Sequence, residues 1–486
     1  MYRSRLDKNL DKHTLDYVSS ISDDSEIAIY DIVGSQAHSI MLYENKILNR
    51  TEVKKILIAL EKLKKEKFTT ASSAEDIHEL IETMVIKKTG LEIGGKMHTA
   101  RSRNDQVALD LRMKIRDDIN TICGCILDMV QTLVLLAEKH TTTAMPLYTH
   151  LQQAQIGTFS HFLISYADAL LRDFERFYDT FERVNHSPLG AGPVGGTSLP
   201  INRNSTAKML GFFDVVENSI DATSNRDVVA EYVGHVAILM TNLSRIAEDL
   251  VIWSTSEFSF VELSDQFSSP SSVMPQKKNP DILELTRGKT ARVIGNLVAI
   301  LSNLKGLASG YGRDLQEIKP SVFLSSRTAI SALVVLNSMF ATLKVNKQKM
   351  NKIADSGYLA SLDIAEALVK EGLPFRTAHK IVGKLVQIAH ESGISLSELT
   401  ASEVASSVGA KEFDSKKLGK IIQSINAESS LKNRSSLGSA GIAEQKRLVV
   451  KRKSKIRQYQ NNVAKRNTMI SSALQKLSTK VQVLSK

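Results

Sequence analysis

Cysteine, proline and tryptophan are scarce in this chain of 486 residues, which has two, nine and one of them, respectively. Cys123 and Cys125 lie two positions apart on a predicted helix, where their side chains point to different faces. They cannot form a disulfide without unwinding that helix, and their spacing fits no zinc site. We interpret both as small buried hydrophobic residues. The few prolines leave long stretches free to be helical.

Membrane and export signals are also lacking. No run of apolar residues approaches the length needed to cross a bilayer, and the opening MYRSRLDKNLDKH has no apolar core of a signal peptide. Neither a Walker nor a Rossmann glycine spacing occurs. These absences predict a cytoplasmic protein with no membrane partner.

The net charge of +11 raises the possibility of a nucleic-acid partner. The excess is concentrated in KKILIALEKLKKEK (54–67) and in the tail, 446–465, which we interpret as solvated faces of amphipathic helices. No nucleic-acid-binding motif accompanies them. A basic protein also suits a small polyanionic substrate, and we rank that partner above nucleic acid.

Helical periodicity dominates the chain from residue 104 onward. Apolar residues recur at steps of three and four in stretches beginning at Leu111, Phe159 and Val229, and further helical patterns cover about 281–305 and 322–345. Ser224 and Asp227 form a capping-box pattern that predicts the start of the third helix. That helix carries a second apolar stripe, which is typical of burial in a large bundle between subunits. We therefore expect an all-α fold around a long helical bundle, and a homo-oligomer.

The pattern divides the chain into three predicted domains. Residues 1–103 form an N-terminal helical domain, 104–352 a central long-helix bundle, and 353–486 a C-terminal helical domain with a basic tail. We expect the tail to contribute packing or solvation and no chemistry. The glycine-rich stretch HSPLGAGPVGGTSLP (186–200) is interpreted mainly as a connection between helices.

Four polar segments lie at predicted helix ends or in loops, where function concentrates. They read HTARSRNDQ (98–106), THLQQAQ (149–155), SSPSSVMPQKKNP (268–280) and SGYGRDLQEIK (309–319). In the third, Pro270, Pro275 and Pro280 exclude a helix, and its hydroxyls and two lysines suit a mobile segment that closes over an anion. Each signal is weak by itself: composition alone favours a solvated linker for the third segment, and a capped helix with solvated arginines explains the first about as well.

Together these strings resemble the fumarase/aspartase superfamily, whose members cleave C–N or C–O bonds and release fumarate. The QKKN form of the loop, with HTARSRNDQ, THLQQAQ, NSIDATSNRD and KGLASGYGRDLQE, is similar to the argininosuccinate lyases in particular. Fumarases and aspartases carry GKVN or AKVN there, and adenylosuccinate lyases a K-R-N form. The resemblance extends from about Ser20 to NRSSLGSAG near residue 440, which is most of the chain.

The resemblance implies a three-domain, nearly all-α fold and a homotetramer in which each active site is built from three subunits. The implied reaction is reversible anti elimination of argininosuccinate to arginine and fumarate, in arginine biosynthesis, without metal or cofactor. Ser271 corresponds to the base, Lys277 to the stabiliser of the aci-carboxylate, and His150, paired with Glu284, to the acid or its orienter. The substrate-binding positions correspond to Ser20, Arg103, Asn104, Thr149, Asn279, Tyr311, Gln316 and Lys319.

Two features depart from the family pattern. Pro270 stands where glycine is usual, which fixes φ and removes an N–H from the loop. The usual Trp-Gly-Gly-Arg-Phe opening is absent, which affects the placement of Ser20. The alternative functions are another fumarate-releasing lyase such as an adenylosuccinate lyase, a non-catalytic structural relative and, on charge alone, a nucleic-acid binder.

Overall fold

The computed structural model describes residues 10–66, 68, 74–409 and 412–486. The α-helices are Lys12–Val18 (α1), Ala28–Glu44 (α2), Arg50–Leu63 (α3), Ile77–Thr89 (α4), Leu91–Gly94 (α5), Arg103–Lys139 (α6), Phe159–Val184 (α7), Arg203–Met209 (α8), Ser219–Ser224 (α9), Asp227–Trp253 (α10), Asp281–Leu304 (α11), Ile318–Ala341 (α12), Lys347–Ala354 (α13), Ser361–Lys370 (α14), Phe375–Ser392 (α15), Ala401–Ser407 (α16), Ser415–Ser424 (α17), Ala427–Asn433 (α18) and Ile442–Ser485 (α19).

The strands are short and pair two by two. They are Ala144–Thr149 (β1), Gln152–Thr158 (β2), His186–Ser187 (β3), Asp214–Val215 (β4), Val261–Glu262 (β5), Ser269–Pro270 (β6), Lys278–Asn279 (β7) and Lys344–Val345 (β8). β1–β2, β5–β8 and β6–β7 are antiparallel, and β3–β4 is parallel. The described chain is therefore mainly helical, and the predicted fold class is confirmed.

Five long helices, α6, α7, α10, α11 and α12, pack against one another along the middle of the molecule. The apolar stripe of α10 explains why: Val229, Tyr232, Val236, Leu239, Leu243, Ile246, Leu250 and Trp253 are all at most 3% exposed. The start of α6 is fixed by a capping box, in which Ser102 accepts from the helix and Asp105 accepts from the Ser102 N–H. The long bundle predicted from the periodicity is present.

Two helical segments are long and apolar enough to cross a membrane, contrary to the expectation from the sequence. They are Arg103–Lys139 and Arg313–Ala341, with mean hydropathies of 1.8 and 1.4 over their most apolar windows. Half of each window is buried inside the bundle. Core helices of soluble proteins pass the same test, so these two helices are weak evidence for a membrane protein.

The chain after residue 353 does not form one unit of packing. Helices α14–α17 share a small core of their own, which includes Leu368, Ile381, Leu385 and Leu418. In contrast, α19 returns to the bundle and packs along α3, α6 and α7. The boundaries of the three domains stay a prediction, but the tail helix belongs by its contacts to the central core.

Basic side chains of α19 pair with acidic side chains of the bundle. Arg452 contacts Asp168, and Lys453 Nζ lies 2.6 Å from Glu138 Oε1. Lys455 Nζ lies 2.7 Å from Glu175 Oε1. Part of the tail's positive charge is therefore neutralised by ion pairs with the bundle. This weakens the hypothesis that the tail binds nucleic acid.

Candidate functional site

Ser20, Asp24 and Lys319 form a buried ionic cluster at the end of the bundle where α6 and α12 begin. The Ser20 hydroxyl donates to Asp24 Oδ2 at 2.7 Å, and Lys319 Nζ donates to Ser20 Oγ at 3.2 Å and to Asp24 Oδ1. Lys319 is 3% exposed and Asp24 is fully buried. The charge of Lys319 is thus neutralised within the chain, and its position is fixed.

Arg103 lies beside this cluster and pairs with Asp76, the N-cap of α4. Burial opposes ionisation of Asp76, but the charges of His78 and Arg103 and the Glu79 N–H outweigh burial and lower its pKa below the ordinary value. Tyr311 is nearby, and burial raises its pKa, although the Arg226 charge acts against this shift. Arg103 is therefore held at the helix start by a carboxylate that stays ionised.

Two backbone carbonyls hold further predicted site residues in place. Gln316 Nε2 donates to Val18 O at 3.1 Å, and Asn104 Nδ2 donates to Pro193 O at 3.0 Å. The second contact brings the glycine-rich stretch 186–200 onto the start of α6. We call Ser20, Arg103, Asn104, Tyr311, Gln316 and Lys319 the ionic half-site.

Asp105 anchors the same glycine-rich stretch. Its Oδ2 accepts the N–H groups of Gly190 at 3.0 Å and Gly192 at 2.8 Å, and both glycines have positive φ. Burial raises the pKa of Asp105 to about 6, although these amides and the Ser102 N–H act against the shift. The stretch is therefore more than a connection between helices, because it docks beside Asn104.

The segment 268–280 forms a loop closed at its base by the β6–β7 pair. In this pair Ser269 lies opposite Asn279, and Pro270 opposite Lys278. Lys278 Nζ lies 2.8 Å from Asp265 Oδ1 and 3.2 Å from Glu262 Oε1, and these contacts raise its pKa. Of the two adjacent lysines, Lys278 is therefore bound by ion pairs at the base of the loop.

Lys277 has no ion-pair partner within residues 10–66, 68, 74–409 and 412–486. Its side chain is exposed, as are those of Val273 and Met274 in the same loop. The two adjacent lysines therefore differ: Lys278 fastens the loop, and Lys277 is available to an anion.

Ser271 lies within reach of two backbone donors. Its Oγ accepts the N–H groups of Val273 at 3.3 Å and Met274 at 3.0 Å. Hydrogen bonds donated to an oxygen favour its anionic form. This small amide pocket supplies part of what a serine base requires, and Pro270 is not one of its donors.

Thr149 and His150 lie at the tip of the β1–β2 hairpin. The sequence analysis had predicted a loop or a helix end for this segment. His150 and Leu151 have φ of 54° and 57°, which the two central residues of a type I′ turn require. Such values cost a non-glycine residue about 1–2 kcal/mol each. Backbone strain of this kind clusters at functional sites. Here the strained turn leaves the His150 side chain exposed to solvent.

Glu284 lies in the first turn of α11 and is exposed. In the part of the chain that the structure describes, no hydrogen bond or ion pair joins His150 to Glu284, or either of them to Ser271. We call Thr149, His150, Ser271, Lys277, Asn279 and Glu284 the loop half-site. Its members lie at one end of the bundle, and within the described residues of one chain no hydrogen bond or ion pair assembles its proposed base and acid.

The two half-sites lie at opposite ends of the long helices. Arg103 begins α6, whereas the hairpin follows its end at Lys139; Glu284 begins α11, whereas Tyr311 follows its end at Leu304. At 1.5 Å per residue, α6 is about 55 Å long and α11 about 36 Å. These lengths exceed any small substrate, so one chain cannot bring both half-sites to the same molecule.

Several residues that hold the site residues in place were not predicted from the sequence. Asp24 neutralises Lys319, Asp76 holds Arg103, and Arg313 NH2 donates to Val18 O at 2.9 Å. Asp24 lies four residues after Ser20, one helical turn on, which was a usable signal. No local pattern marks Asp76 for this role, because its tertiary partner Arg103 lies 27 positions away in the sequence.

The comparisons with known proteins cover almost the whole chain. A family model described as Lyase matches residues 4–295, and one described as Argininosuccinate lyase C-terminal matches residues 358–432. The chain is 63% identical over 481 residues to the argininosuccinate lyase of Nitrosopumilus maritimus strain SCM1, covering 99% of both chains. It is 42% identical to that of Geobacillus thermodenitrificans strain NG80-2, covering 94% of this chain and 99% of the relative.

Solved structures agree on the fold. An EDDS lyase in complex with formate superimposes with a TM-score of 0.87 at 28% identity, covering 97% of this chain and 94% of the other. A class II fumarase from Schistosoma mansoni, at 14% identity, has a TM-score of 0.73 over 87% of this chain and 95% of the other. The second likeness concerns the fold alone.

Proposed function

The chain belongs to the argininosuccinate lyase family of the fumarase/aspartase superfamily, and we propose how its two half-sites cleave argininosuccinate into arginine and fumarate. As a member of that family it is a carbon–nitrogen lyase. We assign it to arginine biosynthesis in the cytoplasm, since its substrate and products are water-soluble metabolites. Fumarate as a product agrees with a related EDDS lyase variant, which was solved with bound fumarate.

The proposed elimination begins at Ser271. Its oxygen takes the C–H proton beside a carboxylate, and the electrons of that bond form the aci-carboxylate. Lys277 and Asn279 hold the resulting dianion. Carbon–nitrogen cleavage then forms the fumarate double bond, and the departing guanidino nitrogen takes a proton to give arginine. We assign that proton to His150, oriented by Glu284.

The single observation that carries this proposal is the contrast within the loop 268–280. The Ser271 oxygen receives two backbone N–H groups, while Lys277 lacks an ion-pair partner in the described residues and Lys278 is bound to Asp265 and Glu262. A serine base needs donors to stabilise its alkoxide, and a dianion needs an uncommitted cation. Both requirements are met within seven consecutive residues.

The ionic half-site is assigned to substrate binding. Arg103 suits a carboxylate of the succinate moiety, and Tyr311, Gln316 and Lys319 suit the amino-acid end of the substrate. Ser20 and Asn104 supply further polar contacts, and Thr149 of the loop half-site supplies another. Because Lys319 is already neutralised by Asp24, we assign it mainly to holding the Ser20 hydroxyl.

We propose a homotetramer in which each site takes residues from three chains. The distance between the half-sites supports it, because a complete site then requires a second copy of this chain. An apolar stripe on α11 supports it too: Ile294, Val298 and Leu301 are 44–58% exposed at helical spacing. A stripe of this kind is buried when long helices of different subunits pack together.

The experiment that tests the function is a fumarate-release assay with argininosuccinate, with adenylosuccinate as the control substrate. We expect fumarate absorbance to rise with the first substrate only. Release from adenylosuccinate instead would support the other lyase, and release from neither would support a non-catalytic relative. The same assay contains no nucleic acid, so activity in it also removes the need for that partner.

A further inference from the structure

Asp31, His78 and Asp110 form a buried cluster that the elimination does not use. They come from α2, α4 and α6, respectively, and each residue is at most 1% exposed. His78 Nδ1 lies 3.3 Å from both Asp31 Oδ1 and Asp110 Oδ2. One ligand atom from each of the three residues lies within 4.8 Å of the other two. The separations of 3.3 Å are close to the roughly 3.4 Å expected between two ligand atoms of a tetrahedral zinc site with bonds of about 2.1 Å.

The polar atoms of this cluster are largely without hydrogen-bond partners. Both ring nitrogens of His78, both carboxylate oxygens of Asp110 and Oδ2 of Asp31 are buried and make no hydrogen bond. Buried donors and acceptors left without a partner destabilise a fold, so they are normally paired. The geometry therefore calls for a further group at the centre of the three side chains.

Charge narrows the identity of that group. Asp31 and Asp110 bring two buried carboxylates to one imidazole, with Asp31 Oδ1 and Asp110 Oδ2 each 3.3 Å from His78 Nδ1. Two buried carboxylates that face one imidazole nitrogen favour a cation between them, because buried charges in proteins are paired or coordinate a metal ion.

We propose that Asp31, His78 and Asp110 bind one divalent transition-metal ion, of the Zn²⁺ or Co²⁺ class. One nitrogen and two carboxylate oxygens at a buried position suit these ions, whereas Ca²⁺ takes six to eight oxygen ligands and Mg²⁺ keeps several waters. Gln106 Nε2 donates to Asp31 Oδ1 and orients that ligand from the second layer.

The ion takes no part in the elimination and has a structural role. Near each of the three ligands in the sequence lies either a member of the ionic half-site or the carboxylate that pairs with one of its members. Asp24 precedes Asp31 by seven residues, Asp76 precedes His78 by two, and Arg103 precedes Asp110 by seven. A bound ion would cross-link α2, α4 and α6 beneath that half-site and hold Ser20 and Arg103 in register.

The test is metal binding by the full-length protein after removal of metals with a chelator. We expect about one Zn²⁺ per chain after gel filtration, a raised thermal midpoint, and visible absorption bands when Co²⁺ is added instead. Asp110→Asn and His78→Gln should lose the ion and the thermal shift. Asp173→Asn, which changes a buried carboxylate elsewhere in the bundle, should keep both.

Absence of binding in the unchanged protein, or equal binding by Asp110→Asn and the unchanged protein, would overturn the proposal. An imidazolium held between two carboxylates would then explain the cluster. If either variant fails to fold, as judged by circular dichroism, the stoichiometry and thermal shift of the unchanged protein with Zn²⁺ still decide. The readouts do not depend on catalysis, so they are independent of the proposed function.

Discussion

Lys319 and Lys277 illustrate how differently the two half-sites are built. Lys319 is 3% exposed and bound to Asp24 and Ser20, whereas Lys277 is exposed and has no ion-pair partner in the described residues. The ionic half-site is thus assembled and neutralised within one chain. The loop half-site presents side chains outward, on a hairpin tip and a proline-rich loop, where another subunit and the substrate complete it in the proposed oligomer.

This difference indicates that the ionic half-site contributes to the stability of the fold, whereas the loop half-site contributes to the reaction alone. Removing Lys319 from the ionic half-site leaves Asp24 buried and uncompensated, so the fold is affected. Removing a residue of the loop half-site leaves nothing buried, so only the reaction is affected. The predictions below test this separation, beginning with the largest expected effect.

The largest effect is expected from Ser271→Ala in the loop half-site. Loss of the proposed base should lower kcat about 10²- to 10⁴-fold, because no other group replaces its proton transfer. The thermal midpoint and the oligomer should be unchanged, since Ser271 is only partly buried. Steady-state fumarate release and size-exclusion chromatography measure both. Near-normal turnover would remove Ser271 from the mechanism.

Lys319→Met should destabilise the fold by about 3–5 kcal/mol, because it leaves Asp24 charged and buried without a partner. Denaturant unfolding measures this change. Lys278→Met is the matched control, since that lysine pairs with Asp265 and Glu262 at the surface, where an ion pair contributes about 0.2–1 kcal/mol. Equal losses in the two variants would contradict the difference drawn between buried and exposed pairs.

His150→Asn should lower kcat by about 10²-fold and change KM less, because the imidazole is assigned to proton donation or its orientation. Asparagine also tolerates positive φ, so the hairpin turn should be retained. Fumarate-release kinetics over a range of substrate concentrations separate the two constants. An unchanged kcat would exclude His150 from the reaction.

The smallest effect is expected from Pro270→Gly, which restores the glycine usual in the family. The amides that reach Ser271 belong to Val273 and Met274, so the missing N–H of Pro270 is not one of its donors. We expect stability to fall by about 0.4–1 kcal/mol through the freer unfolded chain, with kcat nearly unchanged. A tenfold change in kcat would show that Pro270 controls loop closure.

The helical framework could be predicted from the sequence, because the buried face of a helix requires apolar residues at steps of three and four. Every residue of the predicted stripe from Val229 to Trp253 is buried in α10. The predicted cap was wrong: Ser224 ends α9, and α10 begins at Asp227 after Arg226, without a side-chain cap. A local capping pattern cannot show that a second short helix comes first.

Parts of the site depend on contacts that no local pattern contains. The β1–β2 hairpin was not predicted, because its turn residues His150 and Leu151 are not the glycine or asparagine that positive φ favours. The pairing of Lys319 with Asp24 joins positions 295 apart. The family resemblance supplied the residues, whereas only the structure gave their division between two ends of the bundle.

The central claim is that one site draws its two half-sites from different chains. The most direct measurement mixes two inactive variants, Ser271→Ala and Arg103→Gln, after dissociation and reassembly, and then assays fumarate release. We predict that activity returns, because some sites in the mixed oligomers receive an intact copy of each half-site. Ser271→Ala mixed with Lys277→Met, both in the loop half-site, should regain much less. Failure of the first mixture to regain activity, with mixed oligomers present, would contradict the account.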